Sequence, residues 1–413
     1  MRVDGWLLAV CASRAFMTSM FMTYAATLPM LRGEWGMSGT AAGSISTGFQ
    51  LGYAVSLVCF SSLADRVGAR RVFLGSAWLS AVAALAFALF ARSYLSGLAL
   101  YTLVALSQGG TYTTAIMLFA DRYPPARRGG AVGWLIASSS AGYALSLLVS
   151  GVAVAWGGYP LAFFVSACGP ALGVVIAWFA LRTTPNVVHP RREDAHFGTA
   201  VLKNGPAMRL IAGYTFHSWE LLGMWAWTPA FLASALGGAQ QSIEGAAAQG
   251  AGLAALFHLM GLLATSVSGW LSDRWGRTGV IALMMTVSTL CSLSFGWLAG
   301  APLLIVLFVG LIYSFSAIGD SPVYSTALSE VVEPRHLGSA LAIRSLIGFG
   351  AGSLAPFAFG AVLDFTNRGV SDHQSLTWGW AYSLLGLGAA VGLFATLWLR
   401  RLPQSRLMAG GRR

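Results

Sequence analysis

Ser61-Ser62-Leu63-Ala64-Asp65-Arg66-Val67-Gly68-Ala69-Arg70-Arg71 lies between two apolar runs, one ending near Ser62 and one beginning near Val72. The chain says it again as Ser268-Gly269-Trp270-Leu271-Ser272-Asp273-Arg274-Trp275-Gly276-Arg277, with Asp273 offset by 208 from Asp65. Both copies run through Leu, a small residue, Asp-Arg, a bulky apolar residue and Gly to further Arg. A charged connection this short between apolar runs turns the chain back as a tight hairpin. Its Arg cluster holds that turn on one side of a membrane.

Composition agrees. Hydrophobic residues make up 56% of the 413 and charged residues 9%, against roughly 25% charged in soluble domains. At about 20 apolar residues per crossing, the length suits roughly a dozen helices with short loops. Apolar runs bounded by charges or turn residues predict spans at 5–28, 39–62, 72–92, 96–119, 130–153, 158–181, 208–235, 248–271, 280–298, 302–325, 339–363 and 376–399. Helices are expected because a backbone in lipid must satisfy its own hydrogen bonds. Arg14 interrupts the first run, so a cleaved leader is not expected there. Cys11, Cys59, Cys168 and Cys291 fall inside apolar segments and read as small core residues.

The net charge of +11 is a matter of placement. Of 25 Lys and Arg, 20 fall at one set of helix ends, including both signature loops and both termini. Arg32, Arg92 and Arg368 fall at the other ends, and Arg14 and Arg344 lie within spans. The positive-inside rule then puts both termini in the cytoplasm. The basic charge is a topology device, and no nucleic acid is expected as a partner.

The halves echo each other beyond the opening loop. Asp121 through Ala131, with Pro125, Arg128 and Gly129, matches Glu330 through Ala340, and Pro125 precedes Pro334 by 209. The expected organisation is a bundle over 1–182, a cytoplasmic loop over 183–207, a second bundle over 208–400 and a basic tail over 401–413. The fold class is therefore an all-α membrane protein, twelve transmembrane helices in two pseudo-symmetric six-helix bundles. Repeated halves of this kind are a transporter architecture.

The duplicated Asp-Arg loop resembles the signature loop of the major facilitator superfamily, which follows the second helix of each six-helix half. The first copy has Ser61 where the leading Gly stands, and the second keeps it as Gly269. Pro125, Arg128 and Gly129 resemble the superfamily's Pro-x-x-Arg-Gly loop. The resemblance covers essentially the whole chain. It implies that Asp65, Arg66, Gly68, Arg70, Arg128, Asp273, Arg274 and Gly276 form a conformational gate. It also implies that Asp65 docks at the start of span eleven in one state, and that spans one, four, seven and ten line a cavity.

Charges inside a membrane are expensive and so are functional candidates. Span one carries Arg14, span seven His217 and Glu220, span eight His258, span ten Asp320 and span eleven Arg344. At about 1.5 Å per residue, Arg14, Glu220, Asp320 and Arg344 lie roughly 13–18 Å from the basic ends of their spans. In a core about 30 Å thick that is the midplane. Arg14 and Arg344, joined by Tyr24 and Gln108, are the candidate substrate-binding residues, since Arg suits forked recognition of a carboxylate or similar anion. Glu220, His217 and Asp320 are the candidate proton-coupling residues. An Asp320–Arg344 structural pair, a core role for His217 or His258, and a Glu220 that merely neutralises Arg14 are the alternatives. The tryptophans of span seven read as an interfacial belt, the glycines of span eleven as packing contacts, and Pro356 as a kink.

With no P-loop, no His/Cys metal spacing and no nucleophile motif, neither an enzyme nor a primary pump is expected, and no cofactor or metal. The expected function is proton-coupled, alternating-access transport of a small organic or inorganic anion across the bacterial inner membrane, by a monomer. A drug:proton antiporter is the second reading. Gly133 and Gly142 fit its span-five spacing, but Ser146-Leu147 stands where Gly-Pro belongs. Spans five and eleven lack the Asn of nitrate porters, and a non-transporting sensor is the remote reading.

Overall fold

The computed structural model describes residues 4–188, 197–236, 242–333, 336–370 and 376–412. The side chains of residues 125–126 and 197–199 also lie outside the description. Pro334, the side chain of Pro125 and five of the 20 basic residues counted at one set of helix ends (Arg2, Arg191, Arg192, Arg335 and Arg413) therefore fall outside it. The described residues are nearly all helical, with no strand among them.

The helices are α1 (Gly5–Thr18), α2 (Thr23–Glu34), α3 (Gly39–Val67), α4 (Ala69–Phe90), α5 (Tyr94–Arg122), α6 (Pro125–Leu181), α7 (Phe197–Lys203), α8 (Gly205–Leu236), α9 (Ile243–Trp275), α10 (Arg277–Phe295), α11 (Leu303–Val331), α12 (Leu337–Gly352), α13 (Ala355–Thr366) and α14 (Gly379–Arg401). Ten helical stretches are long and apolar enough to cross a membrane, with α1–α2 and α12–α13 each counted as one. The α6 stretch is a double crossing. It breaks at Gly157 and Gly158, the latter at φ 67, a left-handed turn that Gly adopts without a Cβ clash. Helix α8 is not among the ten, although its 32 residues suffice in length. Arg209, His217 and Glu220 lower its hydropathy. Counting α6 twice and adding α8 gives twelve passages, at the places the apolar runs predict.

Two passages break, the first without a sign in the pattern and the second beside Pro356, where a kink was expected. The first passage unwinds over residues 19–22, between α1 and α2. Its freed backbone finds hydroxyl partners: the Met22 N–H donates to Ser146 Oγ at 3.0 Å, and Tyr101 donates its hydroxyl to the Phe21 carbonyl at 2.6 Å. Pro29 sits inside α2, and the helix continues past it to Glu34. The eleventh passage breaks at Ser353–Leu354, with Pro356 in the first turn of α13. Proline is tolerated there because the first N–H groups of a helix have no partner anyway. The cysteine reading needs correction. Only Cys11 is buried, whereas Cys59 and Cys168 are exposed and Cys291 is intermediate. An apolar run records that a segment is in lipid, not which face points inward.

The chain forms two compact units. One comprises Met1–Met37, Ser44–Arg192 and Gly237–His258. Its core gathers Leu7, Val10, Phe73, Phe119, Leu135 and Val174, each no more than 2% exposed. The other comprises Ser38–Gly43, Glu193–Leu236 and Leu259–Arg413, with a core that includes Ile211, Ile281, Val323, Leu328 and Leu399. Ser38–Gly43 belongs to this second unit through Asp364. Its carboxylate accepts from Gly39 N at 2.6 Å, Thr40 N at 2.8 Å and Thr40 Oγ1 at 2.6 Å. That contact supplies α3 with the acceptor its first turn lacks. The span-eleven glycines pack as expected: a Cβ on Gly348 would meet the Tyr214 ring at 2.7 Å, and one on Gly352 the Ser218 backbone at 2.8 Å.

Candidate functional site

In the first unit, Arg14 of α1 is 1% exposed. Its guanidinium is held by three hydroxyls from three other helices. Nε donates to Ser139 Oγ at 3.1 Å, Nη1 to Thr111 Oγ1 at 2.7 Å and Nη2 to the Tyr53 hydroxyl at 3.0 Å. Cζ lies 5.5 Å from the Tyr112 ring centroid. No carboxylate pairs with it among the described residues.

The hydrogen inventory of this nest is specific. Ser139 gives its own proton to the Leu135 carbonyl, and Thr111 to the Gln108 carbonyl. Both therefore meet Arg14 as acceptors. A guanidinium has five N–H groups; three are used, and one on each terminal nitrogen remains. The Tyr53 hydroxyl also keeps its proton, because among the described residues the one hydrogen bond it makes is the one it accepts. Two guanidinium N–H groups and one hydroxyl proton thus have no hydrogen-bond partner among the described residues, around a buried positive charge.

Gln108 lies one turn from Thr111 on α5. Its Nε2 donates to the Met17 carbonyl at 3.1 Å, while Oε1 is buried without a partner. Tyr24 lies beyond the helix break, its ring 5.5 Å from Tyr101. The structure thus groups Gln108 with Arg14 and sets Tyr24 further along the passage. His258, buried, places its ring 5.8 Å from that of Tyr143.

In the second unit, His217, Glu220 and Asp320 are each buried to 2% or less. His217 Nδ1 and Asp320 Oδ1 are 2.7 Å apart. The approach is off the hydrogen-bonding direction, since Oδ1 has no hydrogen-bond partner, so the contact is ionic when the ring is protonated. The expected alternative pair of Asp320 with Arg344 is not formed. Arg344 instead places Cζ 4.2 Å above the Tyr214 ring and donates from Nη1 to Ser325 Oγ at 2.5 Å. The Tyr214 ring lies 5.2 Å from that of His217. Arg344, Tyr214, His217 and Asp320 therefore make one connected array.

Glu220 sits apart from the Asp320 pair. Its Oε2 is 2.9 Å from Ser288 Oγ on α10, and its Oε1 has no partner. Ser288 Oγ is also 3.2 Å from the Met285 carbonyl. One serine proton faces two acceptors.

The two Asp-Arg loops share one backbone. Gly68 (φ 93, ψ 143) and Gly276 (φ 87, ψ 151) each precede the next helix in the left-handed region, which L side chains avoid. In the first copy Asp65 and Arg66 are exposed, and Asp65 makes no hydrogen bond or ion pair among the described residues. Arg70 donates from Nε to the Leu181 carbonyl at 2.7 Å. In the second copy Asp273 pairs with Arg277, which also forks onto Glu330 at 2.8 Å. Arg274 lies over the Trp270 ring at 3.8 Å. Arg128 donates to the Tyr123 and Ala120 carbonyls at 3.0 and 2.8 Å, closing the end of α5.

The model of the Major Facilitator Superfamily matches residues 9–356. The chain belongs to the major facilitator superfamily. It is an integral membrane transporter, not an enzyme. Among curated superfamily relatives, the probable sulfoacetate transporter of Cupriavidus necator is 25% identical over 392 residues, covering 89% of this chain and 87% of that one. The probable 4-methylmuconolactone transporter of Cupriavidus pinatubonensis is 25% identical, covering 78% and 76%. The gallate transporter of Pseudomonas putida is 23% identical, covering 89% and 85%. Among solved structures, the D-xylose–proton symporter superposes with a TM-score of 0.75 at 16% identity, covering 97% and 98%. A bacterial homologue of the human lysosomal transporter Spinster gives 0.75 at 16%, covering 96% of each chain. At that identity the likeness speaks for the superfamily fold alone.

Reading the sequence for charge found Arg14, His217, Glu220 and Asp320 as buried groups, but not the pairing of His217 with Asp320. It missed Tyr53, Thr111, Ser139 and Ser288. Hydroxyls are common in membrane helices, because each can return its proton to its own backbone, and nothing in the spacing marks these four.

Proposed function

We propose that this superfamily member is a proton-coupled transporter of a small organic anion, working by alternating access in the bacterial inner membrane with both termini cytoplasmic. The observation that carries the reading is Arg14: a buried guanidinium with hydroxyl partners only, no ion pair, and two N–H groups beside the unused Tyr53 hydroxyl proton. A buried charge without a counter-ion is costly, and an arriving carboxylate or sulfonate supplies the missing one. Arg fits that role better than Lys because its planar fork meets two oxygens at once. The relatives' names, sulfoacetate, methylmuconolactone and gallate, fit a site for organic acids. Gln108, Arg344 and Tyr24 are secondary substrate contacts in this reading.

The coupling proton is assigned to Glu220. If the carboxyl is protonated, it donates from Oε2 to Ser288 Oγ, and Ser288 is free to donate to the Met285 carbonyl, so both contacts of Ser288 are satisfied and the unpartnered Oε1 carries no charge. If it is ionised, Ser288 must choose and Oε1 remains a buried bare charge. The His217–Asp320 pair is the second proton-exchanging group. Coupling requires only that anion and proton each favour the same member of a pair of conformations. The Asp-Arg loops, with Asp65, Arg66, Gly68, Arg70, Arg128, Asp273, Arg274 and Gly276, are the gate of that exchange.

Thermal unfolding of the purified protein across gallate, sulfoacetate, a dicarboxylate series and amphipathic cations tests the substrate class. A ligand that binds the folded state raises the melting temperature. Stabilisation by organic anions and loss of that effect in Arg14→Lys are expected. Stabilisation by cations alone would favour the drug-antiporter reading and overturn this one.

A further inference from the structure

In the first unit, the stretch that leaves α6 turns back onto that unit's own Asp-Arg loop. Arg70 reaches the Leu181 and Arg182 carbonyls at 2.7 and 3.2 Å. Asn186 accepts from the Arg71 N–H at 3.1 Å and donates from Nδ2 to the Val67 carbonyl at 2.8 Å. Its amide thus bridges the residues on either side of Gly68, where a Cβ would lie 2.3 Å from Nδ2.

In the second unit, the stretch that leaves α14 does the same to the second loop with different chemistry. A segment over Pro403–Gly411 follows α14, opening as a tight 3-10 turn and leaving helical geometry at Met408, Ala409 and Gly410. Met408 is 1% exposed and belongs to the core cluster that holds Leu328, Val331 and Val332. The next N–H, of Ala409, donates to Glu330 Oε2 at 3.0 Å. That carboxylate is the one Arg277 forks onto, and Arg277 in turn holds Asp273. Arg412 closes the circuit by donating to the Asp273 carbonyl. Ala409 sits at φ 49, the one left-handed non-glycine among the described residues, with Gly410 and Gly411 following at φ 63 and 91. A backbone held in this unfavoured region persists only where its surroundings fix it, and here they are the buried Met408 and the Glu330 carboxylate. The sequence reading expected residues 401–413 to be a basic tail, with no part in the core. Two of them, Ser405 and Met408, are as buried as the core.

We propose that each half carries a strap, the segment following its last helix, which clamps that half's Asp-Arg-Gly loop. In the second half the strap is the C-terminal tail, a releasable latch on Asp273, Arg277 and Glu330. The two straps share a position in the repeat and not a sequence. An Asn side chain performs in one what a backbone N–H and an Arg perform in the other. The latch touches the loop itself, at the Asp273 carbonyl and through Glu330, and it is independent of which substrate is carried.

Hydrogen–deuterium exchange of the full-length protein in nanodiscs tests this. Ala409→Pro removes the donor to Glu330 and cannot adopt φ 49, because proline fixes φ near −65°. Amides over residues 270–281 are expected to exchange at least tenfold faster, with residues 62–73 unchanged. Asn186→Ala is expected to do the reverse, loosening 62–73 and leaving 270–281 alone. Unaltered exchange over 270–281 in Ala409→Pro overturns the latch, as does an equal rise in both loops. Should Ala409→Pro give no monodisperse preparation, Arg412→Ala, which alters no buried side chain, is read by the same two outcomes with an expected rise of about threefold.

Discussion

Replacing Arg14 with Met separates an arginine kept for ligand from one kept for the fold. Three hydrogen bonds disappear, to Ser139, Thr111 and Tyr53. Two of those hydroxyls keep their own acceptors, the Leu135 and Gln108 carbonyls, so only Tyr53 is left without a partner. Bonds from a charged donor are worth about 1.5–3 kcal/mol each. Against them stands the charge itself, buried to 1% exposure with no counter-ion, an arrangement that costs several kcal/mol. The two contributions are of similar size, so the fold is expected to change by no more than about 1–2 kcal/mol. Ligand has no such compensation. An anion that loses both forked donors loses about 3–6 kcal/mol, more than a hundredfold in Kd. The assay is tryptophan-monitored thermal unfolding with and without gallate or sulfoacetate, the chain carrying 15 Trp as reporters. The expected result is a melting temperature within a few degrees of wild type and no rise on adding ligand. A collapse of stability, or an undiminished ligand effect, would refute the reasoning.

Three further outcomes follow from the same geometry. Thr111→Val and Tyr53→Phe each remove one group that orients the Arg14 fork; binding titrations should show affinity falling about tenfold in each, at unchanged stability. Glu220→Gln should abolish accumulation driven by a pH gradient while sparing one-for-one exchange of labelled substrate, and Ser288→Ala should shift the pH profile of uptake without abolishing it. Gly68→Ala forces a left-handed backbone on an L residue, about 1–2 kcal/mol, and drives its Cβ into Asn186; unfolding in detergent should show a loss that Asn186→Ala relieves only in part.

How much of this was legible in the sequence depends on what leaves a mark in one dimension. The duplicated loop did, because Gly68 and Gly276 adopt nearly the same φ and ψ and no other residue does so without strain. The crossings did, because lipid demands long apolar runs. The buried charges did, because Arg14, Glu220 and Asp320 stand out in such runs. The break over residues 19–22 did not: it contains neither Gly nor Pro, and hydroxyls from elsewhere in the chain satisfy it. Pairing was equally hidden. Asp320 and Arg344 are similarly deep on consecutive passages, yet a histidine takes the one and a tyrosine ring the other. The tail read as basic because Arg401, Arg406, Arg412 and Arg413 dominate it, and nothing in the run Leu407-Met408-Ala409 marks Met408 as the residue that enters the core.

The central claim, that movement of an organic anion is tied to movement of a proton, is tested most directly in proteoliposomes with an imposed pH gradient, acidic outside. Sulfoacetate is the informative probe, since its sulfonate stays charged and cannot enter as a neutral acid. The panel extends to gallate and other acids with empty liposomes as the control. The account predicts accumulation of at least one organic anion above its external concentration in wild type, collapse of that accumulation with a protonophore, and none in Glu220→Gln. Anion exchange that proceeds at full rate in wild type but never concentrates its substrate, whatever gradient is applied, would contradict it.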